Sequence, residues 1–136
     1  FVASDFCLQT AEIEAGKREA VIRVGNLAAR RDFTDVRDVV RAYVLLMEYG
    51  KKGEIYNVGS GKAVEIRELL ERILKMSKVP VKVEVDQARL RPVDIPIIEA
   101  DITKLAEDTG WTVQIPLEET LCCTLEYWRR KTRAGE

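Results

Sequence analysis

A chain of 136 residues is long enough to bury one substantial core and too short for two independent domains. Hydrophobic residues make up 46% and charged residues 33%, and 22 Lys and Arg nearly cancel 23 Asp and Glu, which excludes a disordered polyelectrolyte and gives no general attraction to nucleic acid or to a membrane surface. With no histidine, Ser-His-Asp and Cys-His mechanisms are ruled out, and a metal would have only carboxylates and thiols to bind, so no metal is expected.

In chain order, the first segment runs from about Val2 to Ala15, with Val2, Phe6 and Ile13 on a helical spacing, and stops near Gly16. Ala20-Val21-Ile22-Arg23-Val24 alternates, is rich in β-branched residues and predicts a short strand ending at Gly25. Asp35 can cap a helix whose apolar residues Val36, Val39, Val40, Tyr43, Val44 and Met47 form one stripe ending at Gly50. Glu54 to Val58 then predicts a strand, Gly59-Ser60-Gly61 a turn, Ile66, Leu69, Leu70, Ile73 and Leu74 a second amphipathic helix, and Val81 to Val85 another strand. Strand, helix and strand in this order imply a crossover in a largely parallel sheet, hence an α/β fold. Two helices close the chain. One is capped by Asp101 and stopped at Gly110; the other is opened by Pro116, with Leu117, Leu121, Leu125 and Trp128 on its apolar face.

Cys7, Cys122 and Cys123 lack a Cys-x-x-Cys spacing, and neighbouring thiols on a helix pair poorly; they are expected to be reduced and to fill core or subsurface space. No apolar run approaches a membrane span, and a cytoplasmic location is expected. There is no repeat or low-complexity segment. The few short strands would leave a parallel sheet poorly covered, which suggests the C-terminal part of a longer polypeptide that self-associates when isolated.

Three motifs bear on chemistry. Gly59-Ser60-Gly61 superficially imitates a dinucleotide-binding turn, but Val64 stands where the third glycine would be, and a plain strand-to-helix turn is the better reading. Tyr127 and Lys131 have the Tyr-x-x-x-Lys spacing, yet at the end of a terminal helix the pair reads as surface decoration. The stretches Arg31 to Asp38 and Arg89 to Asp94 place arginine beside carboxylate at strand and loop ends; a guanidinium fork matches phosphate oxygens, whereas the alternative is a surface ion-pair network.

Phe1 to Phe6 with Gln9, Val24-Gly25-Asn26-Leu27, the Arg31 to Asp38 run, Ile55 to Gly61, Arg91-Pro92-Val93-Asp94 and Thr109-Gly110-Trp111 with Ile115 to Glu118 resemble, in order, the C-terminal half of the extended short-chain dehydrogenase/reductases that act on nucleotide sugars. The chain looks most like the reductases of GDP-4-keto-6-deoxy-D-mannose. The related GDP-mannose 4,6-dehydratases typically carry Trp-Gly-His after the Arg-Asp pair, where this chain has Phe33-Thr34-Asp35.

The resemblance implies an α/β fold forming the substrate-binding half of an extended Rossmann-type enzyme over residues 1–136, with NADP(H) or NAD(H) bound mainly by an N-terminal half not in this sequence. It implies that Arg31 contacts the diphosphate, Asn26 and Leu27 line the base-binding strand, Arg91 reaches phosphate or sugar from the opposite side, and Asp94 accepts hydrogen bonds from ribose or base. Ser4 and Asp5 would lie near the substrate entry. No residue here is assigned to catalysis, and the chain alone is expected to be inactive. The implied partners are a GDP-sugar and further copies of the same protein. A dehydratase, a 4-epimerase and a non-enzymatic nucleotide-binding module remain alternatives.

Overall fold

The computed structural model describes residues 1–90 and 95–135. The order is α1 (Val2–Glu14), β1 (Val21–Val24), β2 (Arg30–Asp32), α2 (Val36–Tyr49), β3 (Ala63–Glu65), α3 (Ile66–Lys75), β4 (Lys82–Val85), a 3-10 turn (Gln87–Arg89), β5 (Ile97–Ile98), α4 (Thr103–Thr109) and α5 (Leu117–Ala134). The predicted helices and the strands at Val21 and Lys82 are present. β1 and β4 pair in parallel, with Val21 opposite Lys82 and Val24 opposite Val85. β2 lies between β3, antiparallel, and β5, parallel. The class is α/β with short, mainly parallel strands.

The larger core forms where α1, α3 and α5 close over β1. Phe6, Ile22, Leu69, Ile73, Leu121 and Leu125 meet there, as the helical and alternating patterns require. Arg129 on α5 crosses this layer: its guanidinium donates to both carboxylate oxygens of Glu14 at 2.7 Å and to the Met76 carbonyl at 2.8 Å, tying α5 to the ends of α1 and α3. Burial disfavours the Glu14 carboxylate, but the hydrogen bonds from Arg129 and from the Lys78 N–H, with the positive charges of both residues, together outweigh it and lower the pKa. Cys7 is sealed in this core, and burial pushes its thiol up to about 12, against a smaller opposing pull from Arg129. Cys122 and Cys123 are instead exposed, because their positions on α5 fall off the Leu121–Leu125 stripe.

A smaller core gathers Ala42, Leu105 and Trp111 between α2 and α4. Its anchor is Asp38, 1% exposed, whose carboxylate accepts from the N–H groups of Gln114 and Ile115 at 3.1 and 2.9 Å and from Arg41 at 2.6 Å, while its carbonyl accepts from the Trp111 indole. Asp35 caps α2 as predicted, accepting from Arg37 N–H and from the hydroxyl of Thr120 on α5. The pairing with Arg37 holds the Asp35 carboxyl well below its ordinary range.

Two expectations fail. Glu54 to Val58 forms no strand; no described strand runs beside it to complete a ladder, and Ile55 is 85% exposed. The segment is held by side chains instead: Tyr56 accepts from the Lys51 N–H and donates to Asp108, and Lys104 donates to the Ile55 carbonyl. The crossover partner of β4 is therefore β1 rather than this segment. The second failure is α2, whose apolar stripe faces outward, with Val36 at 69% and Met47 at 88% exposure; the side carrying Asp38, Ala42, Leu45 and Leu46 is the packed one.

Replacing Asp38 with Ala strands two backbone donors and Arg41, and is expected to lower stability by about 3 kcal/mol. Val40→Ala, on the uncovered face of the same helix, should stay within about 0.5 kcal/mol. Urea unfolding of the two variants measures the contrast.

Candidate functional site: a two-arginine cleft at the strand ends

A cleft of about 530 Å³ opens where β1 and β4 end. Both strands run in parallel, so the segments leaving their carboxyl ends, Gly25-Asn26 and the turn ending in Arg89, converge on one rim; crevices of open α/β sheets form at such ends. Arg31 enters from β2, and α1 supplies Asp5. Phe1, Val2, Phe6, Ala29 and Ile66 make the apolar floor. The result is a half-apolar groove with two guanidinium groups, suited to an anionic ligand that also carries a ring.

Arg89 is positioned by backbone. The N–H of Asp86 continues the β1–β4 ladder onto the Val24 carbonyl at 2.8 Å, the Asp86 carboxylate caps the turn through the Ala88 N–H, and Arg89 N–H closes it on the Asp86 carbonyl. A side chain at position 25 would come within 2.5 Å of the Arg89 carbonyl, so Gly25 is what allows the turn to sit against the strand end. Across the cleft, Arg89 Nη1 lies 3.1 Å from the Asp5 carboxylate, which also accepts from the Gln9 amide at 2.7 Å.

Arg31 donates from Nη1 to the carbonyl of Ile95 at 2.7 Å and to that of Arg30 at 2.8 Å. Its strand is held by the neighbouring Asp32. One Asp32 oxygen accepts from Ser60 N–H at 2.8 Å and the other from Gly61 N–H at 3.0 Å and Ala100 N–H at 3.1 Å. Burial works against the Asp32 carboxylate, but these hydrogen bonds outweigh it and its pKa is lowered. The Gly59-Ser60-Gly61 turn thus does bind an anion, and that anion is this chain's own carboxylate. A Cβ at Gly59 would sit 2.9 Å from Asp32 Oδ2 and 2.5 Å from Ala100 Cβ, which explains the glycine without any cofactor.

Of the residues expected at a site, Arg31 and Asn26 line the cleft together. The Asn26 side chain caps its own loop, its Oδ1 accepting from Ala28 N–H at 2.9 Å. Leu27 points into the large core. The Ser4 hydroxyl accepts from the Trp128 indole at 2.9 Å and faces α5 rather than the cleft. Arg91 and Asp94 lie outside the described residues. Sequence reading singled out the Arg89 stretch and Asp5 without placing Arg89 in the site; the Asp86 cap opposite Gly25 was the available signal. Tyr127 is exposed, edge-on to Trp128. Among the described residues no cluster of His, Cys, Asp or Glu could hold a metal ion, and no helix is long and apolar enough to cross a membrane.

Asp32, Asp35 and Asp38 all sit below the ordinary aspartate pKa. Each stabilises the fold fully above the unfolded value of about 3.9 and loses that contribution as pH falls through its lower folded value. Stability should therefore drop below about pH 4, and Asp32→Asn should be less stable at pH 7 with a shallower loss toward pH 2. Urea titrations across this range test the change in slope.

A GDP-mannose 4,6 dehydratase family model matches residues 1–124. GDP-6-deoxy-D-mannose reductase of Pseudomonas aeruginosa is 32% identical over 133 residues, 98% of this chain and 44% of that protein. The solved structure of RMD from Pseudomonas aeruginosa complexed with NADPH superposes with a TM-score of 0.90 at 30% identity, covering 96% of this chain and 43% of that one. UDP-glucose 4-epimerase of Thermotoga maritima with UDP-glucose follows the same fold at a TM-score of 0.69 and 33% identity, covering 90% of this chain and 38% of that one. The chain spans less than half the length of these relatives. With a parallel strand pair feeding an arginine-lined cleft and a family match over nine-tenths of its residues, this chain belongs to the GDP-mannose 4,6 dehydratase family.

Proposed function

We propose that this chain is the substrate-holding half of an NADPH-dependent reductase of GDP-4-keto-6-deoxy-D-mannose, acting in the cytoplasm as a homo-oligomer. The observation that carries the reading is the cleft presenting Arg31 and Arg89 over an apolar floor, on a chain 32% identical to a GDP-6-deoxy-D-mannose reductase. Arg31, aided by Arg91, grips the diphosphate, Asp94 and Asn26 serve the nucleoside with Leu27 anchoring the Asn26 loop in the core, and Ser4 supports the entry helix by bracing Trp128. These groups orient the sugar; none of them transfers a proton or hydride.

The reactive partner belongs to a preceding N-terminal half. NADPH, bound mainly there, supplies the hydride delivered to the keto carbon. Two features support such a half: the outward apolar stripe of α2 and the Glu54 to Val58 segment, whose sequence alternates like a strand but which has no ladder and leaves Ile55 exposed. Both are surfaces that a neighbouring sheet would cover. At the position where dehydratases typically carry histidine, Asp35 is committed to capping α2 and to Thr120, which favours the reductase over the dehydratase.

The full polypeptide, given GDP-4-keto-6-deoxy-D-mannose, should oxidise NADPH with loss of absorbance at 340 nm, and the 136-residue chain alone should not. Consumption of GDP-mannose without added NADPH would instead mark a dehydratase. Arg31→Ala should raise KM about tenfold or more with a smaller change in kcat, since a charge-assisted hydrogen bond contributes about 1.5–3 kcal/mol.

A further inference from the structure

The cleft carries a cation that already has a counter-ion. Arg89 faces Asp5 across the opening at 3.1 Å, and both side chains are about two-fifths exposed, so a ligand can reach the pair. Asp86 also lies near Arg89, 3.9 Å from its Nε, but its carboxylate is spent on the Ala88 N–H of the turn. The backbone of Arg89 is fixed by that turn and by its contact with Gly25, whereas its guanidinium, among the described residues, is held through these exposed ion pairs. Asp5, for its part, keeps a second hydrogen bond from Gln9, so it retains a partner if Arg89 leaves.

We propose that Arg89 is a diphosphate-binding residue, and that Asp5 is its resident counter-ion, displaced when a nucleoside diphosphate enters. The idea rests on the cleft being the nucleotide-sugar site. An exposed ion pair is weak enough to exchange, and a diphosphate offers the same fork of oxygens with more charge. The exchange also makes the site selective: a ligand lacking the diphosphate gains nothing from breaking the Asp5–Arg89 pair, so the pair acts as a threshold that only a strongly anionic ligand passes. Asp5 is then a specificity residue whose removal improves binding, the opposite of what a ligand-contacting or purely structural residue would do.

The test is calorimetric titration of the full polypeptide with GDP, UDP and pyrophosphate at fixed ionic strength, on D5N, R89A, R89K and the D5N/R89A double variant. D5N should tighten diphosphate binding by about two- to fivefold, the value of an exposed ion pair. R89A should weaken it about tenfold or more, with R89K recovering part of the loss. In the R89A background, D5N should have no further effect. Tightening by D5N that persists without Arg89 would reduce Asp5 to a general field effect and overturn the proposal; so would D5N that weakens binding while its melting temperature stays at the wild-type value. Failure of the wild-type protein to bind any of the three ligands would sink both the proposal and the nucleotide-sugar reading of the cleft, whereas diphosphate binding with the expected variant pattern but no NADPH oxidation would uphold the proposal and remove only the reductase.

Discussion

The Asp32 carboxylate is the constraint from which the cleft side of the molecule is built. Three backbone donors from two separate segments, Ser60, Gly61 and Ala100, converge on its two oxygens, with the Thr34 hydroxyl at 3.4 Å. β2 has only three residues and would be marginal as an isolated strand. What keeps it in place is this point of charge, which gathers β3 through the glycine turn and β5 through the 99–100 backbone. Arg31 precedes Asp32 in the same strand, so the direction of the guanidinium is set by a residue that never faces the cleft. The Arg-Asp pair is thus neither a surface ion pair nor two binding residues: one member secures the backbone and the other projects from it.

How much of this was legible follows from which interactions are local. The cap at Asp35, the Asp101 carboxylate that accepts from the Thr103 N–H one residue ahead of the Ile102 cap position, the stop at Gly110 and the stripe on α3 are written in residues close in sequence, and these helices appear where the pattern places them. β1 and β4 were legible as alternating strands; their pairing with each other was not, because it joins segments far apart in sequence, and only β1 is covered by the helices while β4 is exposed. β2, β3 and β5 have two or three residues each and carry no alternation long enough to read. The site was legible in the same measure. Arginine beside carboxylate at a strand end pointed to Arg31, but Leu27 and Ser4, chosen by resemblance, turn toward the core and toward Trp128, and the role of Asp32 depends on donors 28 to 68 residues away.

α2 shows why a correct helix can still be read inside out. Its cap and period are local, so the helix was predictable; which side is buried depends on what lies beside it. Asp38 and Ala42 face α4 and the Trp111 loop because Asp38 has partners there at Gln114 and Ile115 that repay its desolvation. The more hydrophobic stripe is left outside. By turning the side with Asp38, Ala42, Leu45 and Leu46 to its own chain, the helix leaves Val36, Val40, Tyr43 and Met47 exposed.

The same division runs through the cleft. Its cations enter from backbone that is already fixed, Arg31 by the Asp32 junction and Arg89 by the turn packed on Gly25, while the apolar floor of Phe6, Ala29 and Ile66 belongs to the large core. Backbone fixed in this way has no further freedom to lose on binding, so only side-chain ordering weighs against each new hydrogen bond. The cost appears elsewhere, in glycines at positions 25 and 59 that no side chain can replace without moving backbone or the Asp32 carboxylate. Those two glycines are therefore as much a part of the cleft as the arginines they position.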